Sequence, residues 1–182
     1  MLKKVLLLAT AAFMAVALTA CGGRANMAEL VLPEEGTAAA GSKAEDTSED
    51  YKDIDYKEYE NNLDGLCKYM EDSYIVSGEP IEMSYDVIGA QGGVKYSFTY
   101  RSKPVQVELY SFDLDSISEK TKQNLENIKN GKPFKVLETQ VTAVSSDSGE
   151  YIMIYSDNST DDENEQQKNR AEELLEGFYS AE

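Results

Sequence analysis

Val94, Tyr96, Phe98 and Tyr100 alternate with Lys95, Ser97 and Thr99, and shortly afterwards Val105, Val107 and Leu109 alternate with Gln106 and Glu108. Successive side chains of a β-strand point to opposite faces, so each run carries one apolar and one polar face. Arg101-Ser102-Lys103-Pro104 between them reads as a turn, which makes the pair a hairpin. A chain built on such a pair must lay the apolar side of an antiparallel sheet against other elements.

Those other elements are legible around the hairpin. Tyr56, Tyr59, Leu63, Leu66, Cys67 and Met70 recur at helical spacing, and Asp55-x-x-Glu58 resembles a capping box, so a helix is predicted over 55–73 with Gly65 inside it. Residues 77–93 fit either a short helix after Pro80 or an irregular strand, with Gly89, Gly92 and Gly93 marking a turn or bulge. These glycines lack the strand-before, helix-after context of a phosphate loop. Ser116-x-x-Glu119 opens a helix with Ile117, Leu125 and Ile128 inward, and Gly131 followed by Pro133 stops it. A second hairpin is expected, from Phe134 to about Val144 and back through Tyr151–Tyr155 (YIMIY). A last helix follows, with Ala171, Leu174, Leu175 and Phe178 as its apolar side and a polar first half that should dock only weakly. The order suggests a ββα unit used twice behind an N-terminal helix, with Tyr110 and Tyr155 equivalent. The expected fold is α+β: an antiparallel sheet of four to five strands with helices packed on one face.

Composition closes several routes to function. The chain has no histidine, which removes Ser-His-Asp and Cys-His catalysis and histidine-ligated zinc. Its formal charge is −17, a field that repels phosphate backbones and anionic headgroups and argues against a nucleic-acid partner. Carboxylate, Ser-Lys and tyrosine chemistries stay open.

The N-terminus carries a different signal. Met1-Leu2-Lys3-Lys4 is basic, and Val5–Leu18 is an apolar run of 14 residues ending in small side chains. That is the layout of a secretory signal, and the run is shorter than the ~20 residues that cross a bilayer. Leu18-Thr19-Ala20-Cys21 resembles the lipobox of bacterial lipoprotein precursors. The resemblance implies cleavage before Cys21, a diacylglyceryl group on its sulfur and an amine open to further acylation. It thereby implies anchorage to the bilayer on the extracytoplasmic side. Two buried acyl chains hold a protein at a membrane where one does not. The remaining layout is then a signal peptide over 1–20, a lipidated cysteine and acidic tether over 21–51, and one domain over 52–182. The tether is rich in Gly, Ala, Ser, Thr and acid and would span about 30 Å if flexible. With Cys21 acylated, Cys67 is left alone, and its place on the apolar side of a helix favours a buried thiol.

No catalytic, cofactor-binding or metal-ligating residue is assigned, and Cys21 is the one site residue. Asp157, Ser159, Asp161, Asp162 and Glu163 offer alternate oxygens, but Asp162 stands where a calcium loop needs glycine and Lys168 where it needs glutamate. These acids, like Asp113 and Asp115, fit turn and helix-start positions better. Tyr96, Phe98 and Tyr100 are read as core rather than as a ligand platform. The polar sheet face (Lys95, Ser97, Thr99, Gln106, Glu108) is the expected surface for a protein or envelope partner. The sequence thus points to a membrane-anchored binding or interaction module. A carboxylate-dependent cell-wall or glycan hydrolase and a calcium-responsive surface module are the alternatives.

Overall fold

In the computed structural model, which describes residues 54–180 apart from Leu137, the predicted hairpin is the longest pairing in the molecule. Strands β2 (Gly92–Tyr100) and β3 (Lys103–Ser111) pair over nine residues each, from Gly92 opposite Ser111 to Tyr100 opposite Lys103. The turn is tighter than expected. Only Arg101 and Ser102 lie between the paired ends, both with positive φ (44° and 65°), as a two-residue primed turn requires. The leader, Cys21 and the tether expected over 21–51 lie outside the described residues.

The remaining elements are α1 (Leu63–Asp72), β1 (Ile81–Glu82), α2 (Glu119–Lys129), β4 (Phe134–Val136), β5 (Thr139–Val141), β6 (Val144–Ser145), β7 (Tyr151–Asp157) and α3 (Asp162–Gly177). The main sheet is antiparallel throughout, in the order β1-β2-β3-β7-β6, and β4 and β5 form a separate pair. The fold is α+β with a five-stranded antiparallel sheet.

The expected helix over 55–73 is two pieces. Asp55 accepts from the Lys57 amide and caps one 3₁₀ turn, Tyr56–Glu58. The chain then reverses, and Asn62 starts α1 by accepting from the Gly65 amide at 2.8 Å. Gly65 permits the reversal, because a Cβ there would sit 2.0 Å from the Glu60 carbonyl oxygen.

The second hairpin is also broken up. Residues 134–144 do not form one strand: β4 and β5 pair with each other, and only Val144 and Ser145 reach β7. Tyr110 packs into one apolar cluster and Tyr155 against the other, on opposite faces of the sheet, so the equivalence that a ββα repeat requires is not seen.

The largest departure is that helices lie on both faces. On the front, Val94, Tyr96, Val107, Leu109 and Met153 pack against α1 (Leu66, Met70) and α3 (Ala171, Leu174, Leu175). Phe178 closes this side, stacked on Tyr69 at 5.6 Å and edge-on to Tyr151 at 5.3 Å. The polar half of α3 is docked as well: Gln167 is buried, and its amide donates to the carbonyls of Tyr74 (3.3 Å) and Ile75 (3.2 Å) at the exit of α1. On the back, Tyr110, Ile152 and Ile154 are covered by Ile128 and Leu125 of α2 and by Phe134 of β4.

Two outcomes follow from this packing. Gly65→Ala sets a methyl against fixed backbone rather than a yielding side chain, and should cost about 1–3 kcal/mol in urea unfolding. Alkali should also destabilise the fold. Burial pushes the Cys67 thiol up to about 11 and the Tyr151 phenol up to about 12, and raises Tyr96 and Tyr110 in the same direction. In the unfolded chain a thiol ionises near 8.5 and a phenol near 10, so over that interval the unfolded state has lost protons that the native state keeps. Stability then falls as pH rises. The urea midpoint should decline steadily above about pH 9, and Cys67→Ala should delay the onset. A midpoint unchanged to about pH 11 would contradict this assignment.

Candidate binding cleft on helix α2

Helix α2 is firmly framed at both ends. The Ser118 hydroxyl accepts from the Thr121 amide at 3.2 Å. At the other end the Lys132 amide donates to the Asn127 carbonyl at 2.9 Å and the Gly131 amide to Ile128 at 2.8 Å, with Gly131 at φ 66°. This is a Schellman motif, and Pro133 after it prevents further helix. The motif turns the chain back so that Pro133, Phe134 and Lys135 run beside the helix they have just left.

One side of α2 is apolar and packs on the sheet. Another carries Lys120, Gln123, Asn124 and Asn127, spaced so that they form a continuous polar stripe along the helix. This stripe lines a cleft of about 620 Å³ whose other walls are the 3₁₀ turn Tyr85–Ile88 with Gly89, and the Pro133–Lys135 segment. The approach is close: Gly89 has φ 76°, and a Cβ there would lie 2.3 Å from Thr121 Oγ1.

The cleft's polar groups are uncommitted. Among the described residues, the side-chain amides of Gln123, Asn124 and Asn127 have no hydrogen-bond partner, and Lys120 and Lys135 have no carboxylate partner. By contrast, Ser118 and Thr121 hydroxyls bond to each other at 2.9 Å. Asp86 is the one carboxylate among the lining residues. Residues 119–135 hold five lysines and two glutamates, whereas the rest of 52–182 holds eight basic and 25 acidic residues. A positive island therefore sits in an otherwise strongly acidic domain.

No family model, curated protein or solved structure matches the chain.

The residues singled out in the sequence fall elsewhere. The polar sheet face is not a free surface as a whole, because α2 and β4–β5 cover the back of the sheet around Tyr110, Ile152 and Ile154. Ser97, Thr99 and Gln106 are exposed, while Lys95 and Glu108 are half-buried, with Glu108 Oε2 accepting from the Tyr110 hydroxyl at 2.8 Å. Tyr96 and Tyr100 are core, and Phe98 packs against it. Cys67 is buried beside Tyr96, whose hydroxyl donates to Glu71 at 2.8 Å. Its thiol is raised chiefly by desolvation, which suits an inert group.

The acids before α3 are used locally. Asp157 accepts from the Ser159 amide at 3.2 Å, Asp161 caps α3 through the Asn164 amide at 3.0 Å, and Glu163 pairs with Arg101 at 2.8 Å. The Ser159 hydroxyl bonds to Asp161, which holds that carboxyl below its usual range. Among the described residues no group of three or more acids, cysteines or histidines is placed to hold a metal ion. Asp113, likewise, accepts from the Ser116 hydroxyl at 2.6 Å and the Asp115 amide at 3.2 Å.

The α2 cleft is hidden in the sequence because its polar residues look like an ordinary solvated helix side. The available signal was the sign change: a lysine-rich segment inside an acidic domain.

Gly89→Ala tests the wall of the cleft. The substitution forces an L-residue into a left-handed conformation and against Thr121, at about 1–3 kcal/mol of local strain. Backbone amide signals of 85–90 and the start of α2 should shift, with β2 and β3 unchanged. Shifts spread evenly over the sheet would contradict a local wall.

Proposed function

We propose that the chain is a bacterial lipoprotein, held at the outer side of the cell membrane through acylated Cys21, and that its domain is a binding module. The tether rests on the resemblance of Leu18-Thr19-Ala20-Cys21 to the lipobox and on the basic, short apolar leader before it. Among the described residues no helix is long and apolar enough to cross a membrane, and the lipid is the anchor in this reading.

The binding reading is carried by one observation: the α2 cleft presents two lysines and three side-chain amides that the described residues leave unpartnered. Groups of this kind hold and orient a ligand. The cleft's two hydroxyls are engaged with each other, and its single carboxylate has no second acid beside it in the lining. A two-acid glycosidase needs a facing pair, so the cleft favours retention over hydrolysis. The partner surface accordingly lies on α2 rather than on the polar side of the hairpin.

Fractionation tests the tether. The wild-type chain expressed in a bacterial host should sediment with membranes at a size shortened by its leader. Cys21→Ala should appear either at precursor size or in the soluble fraction. A Cys21→Ala protein that still sediments with membranes at the processed size would remove the lipoprotein reading.

A further inference from the structure

We infer that the α2 cleft binds an anionic polyol, a hydroxyl-bearing chain with carboxylate or phosphate groups, because unpaired Lys120 and Lys135 line it together with the free amides of Gln123, Asn124 and Asn127. The inference rests on the domain being a binding module and is independent of the lipid tether.

The two kinds of side chain call for two kinds of ligand group. An ammonium offers donors only, and its complement is an anion. A side-chain amide offers two donors and an acceptor oxygen, and its complement is a group that both donates and accepts. Hydroxyls do so, whereas a bare anion leaves three amide oxygens unmatched. A ligand with both features satisfies all five side chains. The volume, about 620 Å³, is that of a site for a small molecule or a short stretch of a polymer.

The surroundings narrow the class further. Single-stranded nucleic acids are held by stacking on exposed aromatic rings, and the aromatic residue in this lining, Phe134, is buried in the core cluster behind it. The rest of the domain is strongly acidic, so a highly charged strand running beyond the cleft meets repulsion. A ligand of lower charge density, with hydroxyls between its charges, gains the local contacts with less of that penalty.

Isotope-labelled full-length chain in neutral detergent micelles tests this. The probes are tetragalacturonate (carboxylate), a glycerol-phosphate oligomer (phosphate), maltotetraose (neutral), inorganic phosphate and a single-stranded DNA oligomer. One or both anionic polyols should give saturable amide shifts confined to the cleft, and which of them does so identifies the charge source. K120Q/K135Q should weaken that binding about tenfold or more, and Q123A/N124A about fivefold, as expected for lost charged and neutral hydrogen bonds. These positions are exposed or half-buried, and unchanged melting temperatures would show that both variants fold. The inference is overturned if neither anionic polyol shifts the cleft at about 10 mM, well past the weak millimolar limit. Inorganic phosphate, maltotetraose or DNA binding as tightly would overturn it too, as would full affinity in Q123A/N124A. A Cys21→Ala chain that still sediments with membranes at the processed size would remove the tether and leave this result standing.

Discussion

Strand β7 sets the terms for the rest of the domain. Tyr151, Ile152, Met153 and Ile154 are buried at four successive positions, and the strand pairs with β3 on one edge and β6 on the other. With a side-chain period of two, Tyr151 and Met153 face the front cluster, while Ile152 and Ile154 face the back. Each such side chain contributes roughly 1.5–3 kcal/mol when fully withdrawn from water. A sheet covered on one side would lose that twice over. α2 and the β4–β5 pair therefore have to lie across the back, and the cleft exists because α2 is held there with its polar stripe turned to the Tyr85–Gly89 turn.

The front of the sheet is closed by a different device. Phe178, just past α3, meets Tyr56, Tyr69, Tyr151 and Tyr179 with ring centroids between 5.0 and 6.3 Å. These rings come from the first 3₁₀ turn, α1, β7 and the C-terminal segment, so one side chain joins both ends of the described chain to the sheet. Gln167 adds a polar tie between α3 and the end of α1. Such contacts between remote segments order the polar half of α3, which periodicity alone left undocked.

How much of this was legible depends on how local each cause is. The β2–β3 hairpin and its two faces follow from alternation within the runs, whereas its register depends on a two-residue turn where the sequence suggests four residues, 101–104. The caps of α2 were partly visible, since Gly131 and Pro133 act through the backbone of their own turn. The break at Glu60 was not, because Gly65 reads as a mild helix weakener until the Glu60 carbonyl is found against it. Back-face coverage was signalled by YIMIY itself: its centre, Ile152-Met153-Ile154, is apolar at every position, the mark of a strand buried on both sides. Taken as one more alternating strand, YIMIY implies helices on a single face and Tyr110 and Tyr155 as equivalents. The cleft needed three separated segments brought together, which no window of sequence displays.

The placement of Lys120 separates the cleft from an accident of composition. A lysine in α2 can be explained by pairing, as Lys122 pairs with Glu119 at 3.3 Å, or by the helix dipole, as Lys129 lies in the last turn. Lys120 has neither explanation. It stands at the second position of the helix, where the dipole disfavours a cation by some tenths of a kcal/mol, and no carboxylate among the described residues compensates it. The domain has acids in abundance with which to pair a lysine, and the acid of this first turn is taken by Lys122. A cation kept at the unfavourable end of a helix, in line with three uncommitted amides along one wall of the cleft, is the placement that the proposed anionic ligand would explain.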